Sequence, residues 1–328
     1  MKKRALIVGI NYVGTGHELR GCINDANNVK AYLETQGFTD IELMLEKDAT
    51  TANILAGLKR LVDDAWPGDV LVFHYSGHGS QVPSTLEEDK LDEIICPVDL
   101  NWIDKVITDN ELKAIFNPVP NGVNVTVILD CCHSGSALDQ VETAKVNPTR
   151  EVSSATKVRV MKKNMKNRYL PMPTKIERKA KKMKLREWST SRDINQSALL
   201  IAACQPNQTS ADATIAGKPC GAGTYSLLSH LEKNPNSTYQ EIIDSMNGFM
   251  IANNFTQRPQ LDGSGNLYGR KFLDSWVDIA PTVPPTPVEP VVTPTTPVAD
   301  SGNAGKDKKQ LIIIGAIVAA VILFVLLA

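Results

Sequence analysis

The chain has almost no net charge, with 35 Lys and Arg against 36 Asp and Glu in 328 residues. That balance argues against nucleic acid or another polyanion as a partner. Cysteine is scarce and badly spaced for a scaffold: of the six, at 22, 96, 131, 132, 204 and 220, none forms a C-x-x-C pair. The one close pair is adjacent in sequence, where a disulfide would be strained, so zinc ribbons and disulfide frameworks are not expected. A secretory leader is not expected either. Met1-Lys2-Lys3-Arg4 precedes a short apolar run, Ala5–Ile10, that stops at Asn11 with no small-residue cleavage site. That run reads as a first strand, which implies a cytosolic body with reduced thiols. No internal repeat is visible. With 42% apolar and 22% charged residues over this length, the chain can bury a full core, and disorder as its main state is excluded.

The neutral total hides a segregation. Residues 143–192 hold 16 Lys and Arg and 3 acids, which leaves 19 basic and 33 acidic residues elsewhere. The window lacks sustained apolar periodicity, contains Pro148, Pro171 and Pro173, and ends in the basic cluster Lys175–Arg186. It is expected to be an exposed, structureless insertion. Residues 281–310 are a Pro-rich linker. Leu311–Ala328 carry no charged or polar side chain and as a helix would span about 27 Å, the reading of a C-terminal transmembrane anchor. Lys306, Lys308 and Lys309 before it predict a cytoplasmic flank. The expected topology is a single-pass, tail-anchored membrane protein with a cytoplasmic body.

Residues 1–280 alternate strand and helix patterns, which predicts an α/β fold, helices on a mainly parallel sheet. Strands are expected at Ala5–Ile10, Ile41–Leu45, Val70–Tyr75, Val123–Leu129 and Ala198–Ala203. Helices are expected near Asp25–Thr35, Ala52–Ala65, from Thr108, and near Tyr225–Lys233 and Tyr239–Asn253. Thr108 and Glu111 have capping-box spacing.

Two strand ends could carry chemistry. Asp69–Tyr75 runs into Ser76-Gly77-His78-Gly79, and Val123–Leu129 runs into Asp130-Cys131-Cys132-His133-Ser134-Gly135. In open parallel sheets, catalytic loops gather at the carboxyl ends of strands. A Cys and a His on neighbouring strand ends form the minimal nucleophile and base, since the imidazole promotes the thiolate that attacks a carbonyl. Two metal-like patterns fail on geometry. His74 and His78 would lie about 13 Å apart along a strand, and the adjacent Cys131-Cys132-His133 side chains cannot readily share one tetrahedral ion.

The segments Tyr75–Gln81 and Asp130–Gly135 resemble the His and Cys motifs of metacaspases, the caspase-like cysteine peptidases of non-animal lineages. Ala5–Ala26 is similar to that family's opening strand and loop, and Gln208–Asp212, Gly217–Thr224 and Gln257–Leu261 resemble its C-terminal subunit. The gap of 54 residues between His78 and Cys132 also fits caspase-type spacing. The resemblance implies a caspase-like three-layer α/β/α sandwich, with Cys132 as nucleophile, His78 as general base and acid, and backbone amides near Gly79 and Cys132 as the oxyanion hole. It implies cleavage after Arg or Lys, with Asp25 and Asp130 as a basic-side-chain pocket beside Ser76 and Cys22. Singly, Asp25 reads as a helix N-cap and Asp130 as a loop brace. It also implies a calcium site at Asp92, Asp109, Asn110 and Asp139, with Glu93 as an alternative to Asp92. The competing reading there is a solvated acidic loop, and Asn110 stands where an acid is usual. The family further implies a monomeric catalytic domain acting on protein or peptide substrates. The basic insertion then offers Lys and Arg sites for autoprocessing, or a surface for anionic lipid. The rival to an enzyme is a tethered caspase-fold scaffold.

Overall fold

The computed structural model describes residues 1–84, 91–132, 157–174, 198–205 and 208–277, with the side chains of 162–164 left out. Chain contacts divide it into two units, Met1–Thr282 and Val283–Ala328. The linker and the anchor expected at 281–328 lie outside the described residues, as do Asp139 and Lys175–Arg186. Among the described residues, no helix is long and apolar enough to cross a membrane.

The first unit is built on a six-stranded sheet. Its strands are β1 (Lys3–Gly9), β2 (Asp40–Leu45), β3 (Val70–Ser76), β7 (Asn124–Asp130), β9 (Ala198–Ala202) and β12 (Gln260–Gly263), in the order β12-β9-β7-β3-β1-β2. All pairs are parallel except β12 with β9. Because helices cover both faces, the strands read as nearly continuous apolar runs. Their side chains still divide by alternation. Leu6, Val8, Leu71, Phe73, Val125 and Val127 pack with Ile54, Leu58, Leu112 and Phe116 of α2 (Thr51–Val62) and α3 (Asp109–Phe116). On the opposite face, Ala5, Ile7, Val70, Val72, Leu199 and Ile201 meet α1 (Cys22–Thr35), α4 (Ala222–Leu231) and α5 (Tyr239–Ala252). This is the expected three-layer α/β/α arrangement. The Thr108 side chain accepts from the Glu111 amide and the Glu111 carboxylate from the Thr108 amide, so the capping box forms as read.

The register levels the strand ends that matter. Gly9 pairs with Ser76, and Ser76 with Asp130, so three loops leave the sheet side by side.

Two small sheets were not anticipated. β4 (Gly79–Pro83), β5 (Leu91–Ile95) and β6 (Ile107–Thr108) form an antiparallel sheet just after His78. The other has β10 (Ala211–Ile215) between β11 (Lys218–Gly221) and β8 (Val160–Asn167). β8 corrects, at Val160–Asn167, the reading of 143–192 as structureless. Its Met161, Met165, Lys166 and Asn167 are exposed, so apolar periodicity does not reveal it, and backbone pairing with β10 holds it instead. The two residues that are buried, Arg168 and Leu170, lie just past the strand.

Candidate active site

The loop leaving β3 turns sharply enough to bring His78 under the sheet edge, where it is 3% exposed. Its amide donates to the Tyr12 hydroxyl at 3.0 Å, its carbonyl accepts from the Tyr75 hydroxyl at 2.7 Å, and its ring lies 4.7 Å from that of Tyr12. The Nε2–H donates to the His17 carbonyl at 2.7 Å, which leaves Nδ1, buried and without a hydrogen-bond partner, to accept a proton. Burial lowers the pKa of His78, which favours the neutral ring, opposed by the carbonyls of His17 and Arg168. Tyr12, at a positive φ of 55°, is a supporting residue that no pattern in the sequence announced.

Cys131 and Cys132 follow β7 and separate as adjacent side chains should. Cys131 packs into the core on the α2 and α3 side, whereas the Cys132 Sγ accepts the Ser210 amide at 3.1 Å. Gly79 passes so close that a Cβ there would lie 2.1 Å from the Cys132 carbonyl oxygen, so only glycine fits. The Gly79 amide donates to the Arg168 carbonyl at 2.8 Å.

Beside this slot lies a closed cluster of charge. Asp25 on α1, Ser76 at the end of β3, Asp130 at the end of β7 and Asp212 on β10 are each at most 1% exposed. Between them sits the guanidinium of Arg168, itself fully buried. Nη2 contacts Asp25 Oδ2 at 2.7 Å and Asp212 Oδ1 at 3.3 Å, and Nη1 contacts Asp130 Oδ1 at 3.2 Å and donates to Ser76 Oγ at 2.8 Å. The remaining acceptors are also satisfied. Asp130 accepts from Ser210 Oγ at 2.7 Å and from the Thr224 amide and hydroxyl at 2.7 and 2.8 Å, and Gly221 N donates to Asp25 at 3.0 Å. Burial pushes Asp25 up despite Arg168, whereas for Asp130 the burial penalty is outweighed by Arg168, Ser210 and Thr224, and its pKa falls below the ordinary value. Burial raises the thiol pKa of Cys22, fully buried nearby, well above its ordinary value.

All four residues expected to form a basic-side-chain pocket are therefore together, and the side chain inside is the chain's own. Asp212 lies in the motif quoted above but was not assigned to the site. Its position follows from β10 meeting the start of α1, where its carboxylate accepts the Arg20 and Gly21 amides at 3.0 and 2.8 Å. Arg168 was hidden among the many basic residues of its segment.

The expected calcium residues come together in part. Asp92 on β5 and Asp109 and Asn110 at the start of α3 adjoin, with Asn110 Nδ2 donating to Asp92 Oδ1 at 3.2 Å and Lys113 Nζ 3.2 Å from Asp109 Oδ2. Asp109 Oδ1 is buried without a hydrogen-bond partner, and burial raises the pKa of this carboxyl, with Lys113 opposing and Asp92 adding. Such hard oxygens suit calcium. Among the described residues, no group of three or more His, Cys, Asp or Glu is gathered for a metal. Asp92 and Glu93 face opposite ways on their strand, so Glu93 does not stand in for Asp92.

A thiol and an imidazole at neighbouring strand ends, with the Gly79 amide directed at a peptide carbonyl, are the components of acyl transfer. The family model for the metacaspase peptidase C14 domain matches residues 3–141. Metacaspase-1 of Mycosarcoma maydis is 34% identical over 291 residues, covering 80% of this chain and 70% of that protein. The chain belongs to the metacaspase family. Metacaspase-1A of Aspergillus terreus is likewise 34% identical over 302 residues, covering 81% of this chain and 71% of its own. The crystal structure of a Geobacter sulfurreducens protein superposes with a TM-score of 0.60 at 25% identity, covering 84% of this chain and 99% of its own. Metacaspase membership makes the chain a member of the caspase-like cysteine peptidases.

Proposed function

We propose that the chain is an endopeptidase that cleaves proteins or peptides after Arg or Lys, with Cys132 as nucleophile and His78 as general base and acid. The observation that carries the specificity is the seat of Arg168: three carboxylates and the Ser76 hydroxyl hold a guanidinium with no solvent exposure. A substrate Arg entering the same seat would meet the same charge-assisted hydrogen bonds, and Lys would meet the same charge with fewer donors. Cys22, fully buried, opens α1 three residues before Asp25 and stands beside this seat.

The Cys132 thiol passes its proton to His78, the thiolate adds to the carbonyl carbon, and the oxyanion takes the Gly79 amide together with the amide of Cys132. His78 then returns the proton to the leaving amine, and water hydrolyses the thioester.

The assignment of calcium to Asp92, Asp109, Asn110 and Asp139 is supported by the orphaned Asp109 oxygen and the adjoining Asp92. The ion would neutralise that acidic edge and tie β5 to α3, and β5 pairs with the strand that begins at Gly79. We assign the apolar run 311–328 as a membrane anchor from its hydropathy, and autoprocessing to the basic insertion from its Lys and Arg content.

Turnover of fluorogenic Arg, Lys and Asp peptides by the full chain, with and without calcium, tests the reading. Arg and Lys peptides are expected to be cut, Asp peptides not, and Cys132→Ala is expected to abolish the signal. Equal turnover by Cys132→Ala, or preference for Asp, would overturn the reading in favour of a scaffold or another specificity.

A further inference from the structure

Arg168 is held as a substrate residue would be, at its side chain and at its backbone on both sides of one peptide bond. Before it, β8 lies antiparallel on β10, with Asn167 opposite Ala211 and Lys166 opposite Asp212. At the residue itself, the Arg168 amide donates to the Ser210 carbonyl at 3.0 Å, and the Ser210 amide in turn donates to the Cys132 thiol at 3.1 Å. The Arg168 carbonyl takes the Gly79 amide at 2.8 Å. After it, the Leu170 amide donates to the Gly79 carbonyl at 3.0 Å, and the Ser80 hydroxyl donates to the Leu170 carbonyl. The chain thus crosses from one small sheet to the other over the Cys132 slot, adding a strand to an existing edge as peptide ligands do. An arginine serving only to neutralise buried carboxylates would need the guanidinium contacts. It would not need its carbonyl on the amide of the one glycine packed against Cys132.

We infer that Arg168–Tyr169 is the first bond this chain cleaves, in its own molecule, and that until the cut Arg168 plugs the specificity pocket. The inference rests on the peptidase reading above and specifies its regulation. The Cys132 thiolate adds to the Arg168 carbonyl carbon, and the C–N bond to Tyr169 breaks as its nitrogen takes a proton from His78. Water then hydrolyses the thioester, leaving Arg168 as a carboxylate and Tyr169 as a new N-terminus. Holding the bond in place in advance turns an encounter into an intramolecular step. The same occupancy excludes other substrates: a pocket free one part in a hundred lowers apparent affinity about 100-fold.

The test uses the full chain, incubated with calcium and followed by intact mass, N-terminal sequencing and turnover of an Arg peptide. Wild type is expected to show a lag, then a new N-terminus at Tyr169 rising in step with turnover, and Cys132→Ala neither. Tyr169→Pro keeps Arg168 in its seat but blocks scission, and is expected to remain uncut at 168 and latent. Arg168→Gln empties the seat and is expected to turn over the peptide without a lag. Should it fail to fold, Tyr169→Pro still decides the matter. Turnover by wild type without an N-terminus at Tyr169, or by Tyr169→Pro with wild-type kinetics, overturns the inference and leaves the peptidase reading standing. Absence of turnover by every variant overturns both.

Discussion

Two acidic clusters of the chain are finished differently. Asp25, Asp130 and Asp212 enclose a fully buried guanidinium, and the carboxylate oxygens of Asp130 are each satisfied by named donors. In the other cluster, Asn110 Nδ2 reaches Asp92 and Lys113 reaches Asp109, and a buried Asp109 oxygen is left without a hydrogen bond. A buried charge tolerates the loss of water only when paired and hydrogen-bonded. The first cluster therefore carries its cation within the chain, whereas the second keeps a buried carboxylate oxygen that an added cation would satisfy.

Breaking the first cluster should cost most. Asp130→Ala leaves Arg168 and the Thr224 amide without their acceptor, and unfolding by urea is expected to show a loss of about 3–5 kcal/mol. The corresponding cut in the second cluster, Asp92→Ala, should cost far less without calcium. Calcium should narrow the difference between the two sites. At about 100 times its dissociation constant, it is expected to stabilise wild type by about 2.7 kcal/mol in a thermal melt. Asp92→Ala should lose that gain, and Thr224→Val should keep it. Thr224→Val itself removes one of the three bonds to Asp130 and should cost about 1–2 kcal/mol in the same melt.

The smallest effect is on pH. The pKa of Asp109 is raised in the folded state, chiefly by burial, so folding takes up a proton there between the unfolded and folded pKa values. Stability without calcium should thus rise slightly as pH falls through that window, and Asp109→Asn should lose the rise. Asp130 is lowered instead, so its contribution persists through mild acid and disappears only as pH falls through its depressed value. Denaturant titrations of wild type and Asp109→Asn across that range measure the difference.

What could be read in advance follows burial. β3 and β7 are buried along their whole lengths, so their apolar runs were visible, and the capping box at Thr108 is a local contact that spacing alone reveals. β8 is held by backbone pairing to a strand distant in sequence and β4 by pairing with the strand that follows it, and neither leaves a periodic mark. Ser76 and Asp130 were legible because they sit at recognisable strand ends, and Asp25 because its segment resembles the metacaspase opening motif. Tyr12 acts through a positive-φ turn and a contact 66 residues away, and nothing local predicts that.

The sequence by itself determined the sheet, the helices on its faces, the two strand ends bearing His78 and Cys132, and the acids beside them, because each is written in a local run, cap or motif. Only the tertiary structure decided which of the many basic side chains of the insertion faces those acids. Arg168 is chemically like its neighbours, and what singles it out is a β-strand pairing that brings it across 143 residues to Asp25. The charge balance of the whole chain hinted at such a pairing, and the geometry of one buried guanidinium gives it an address.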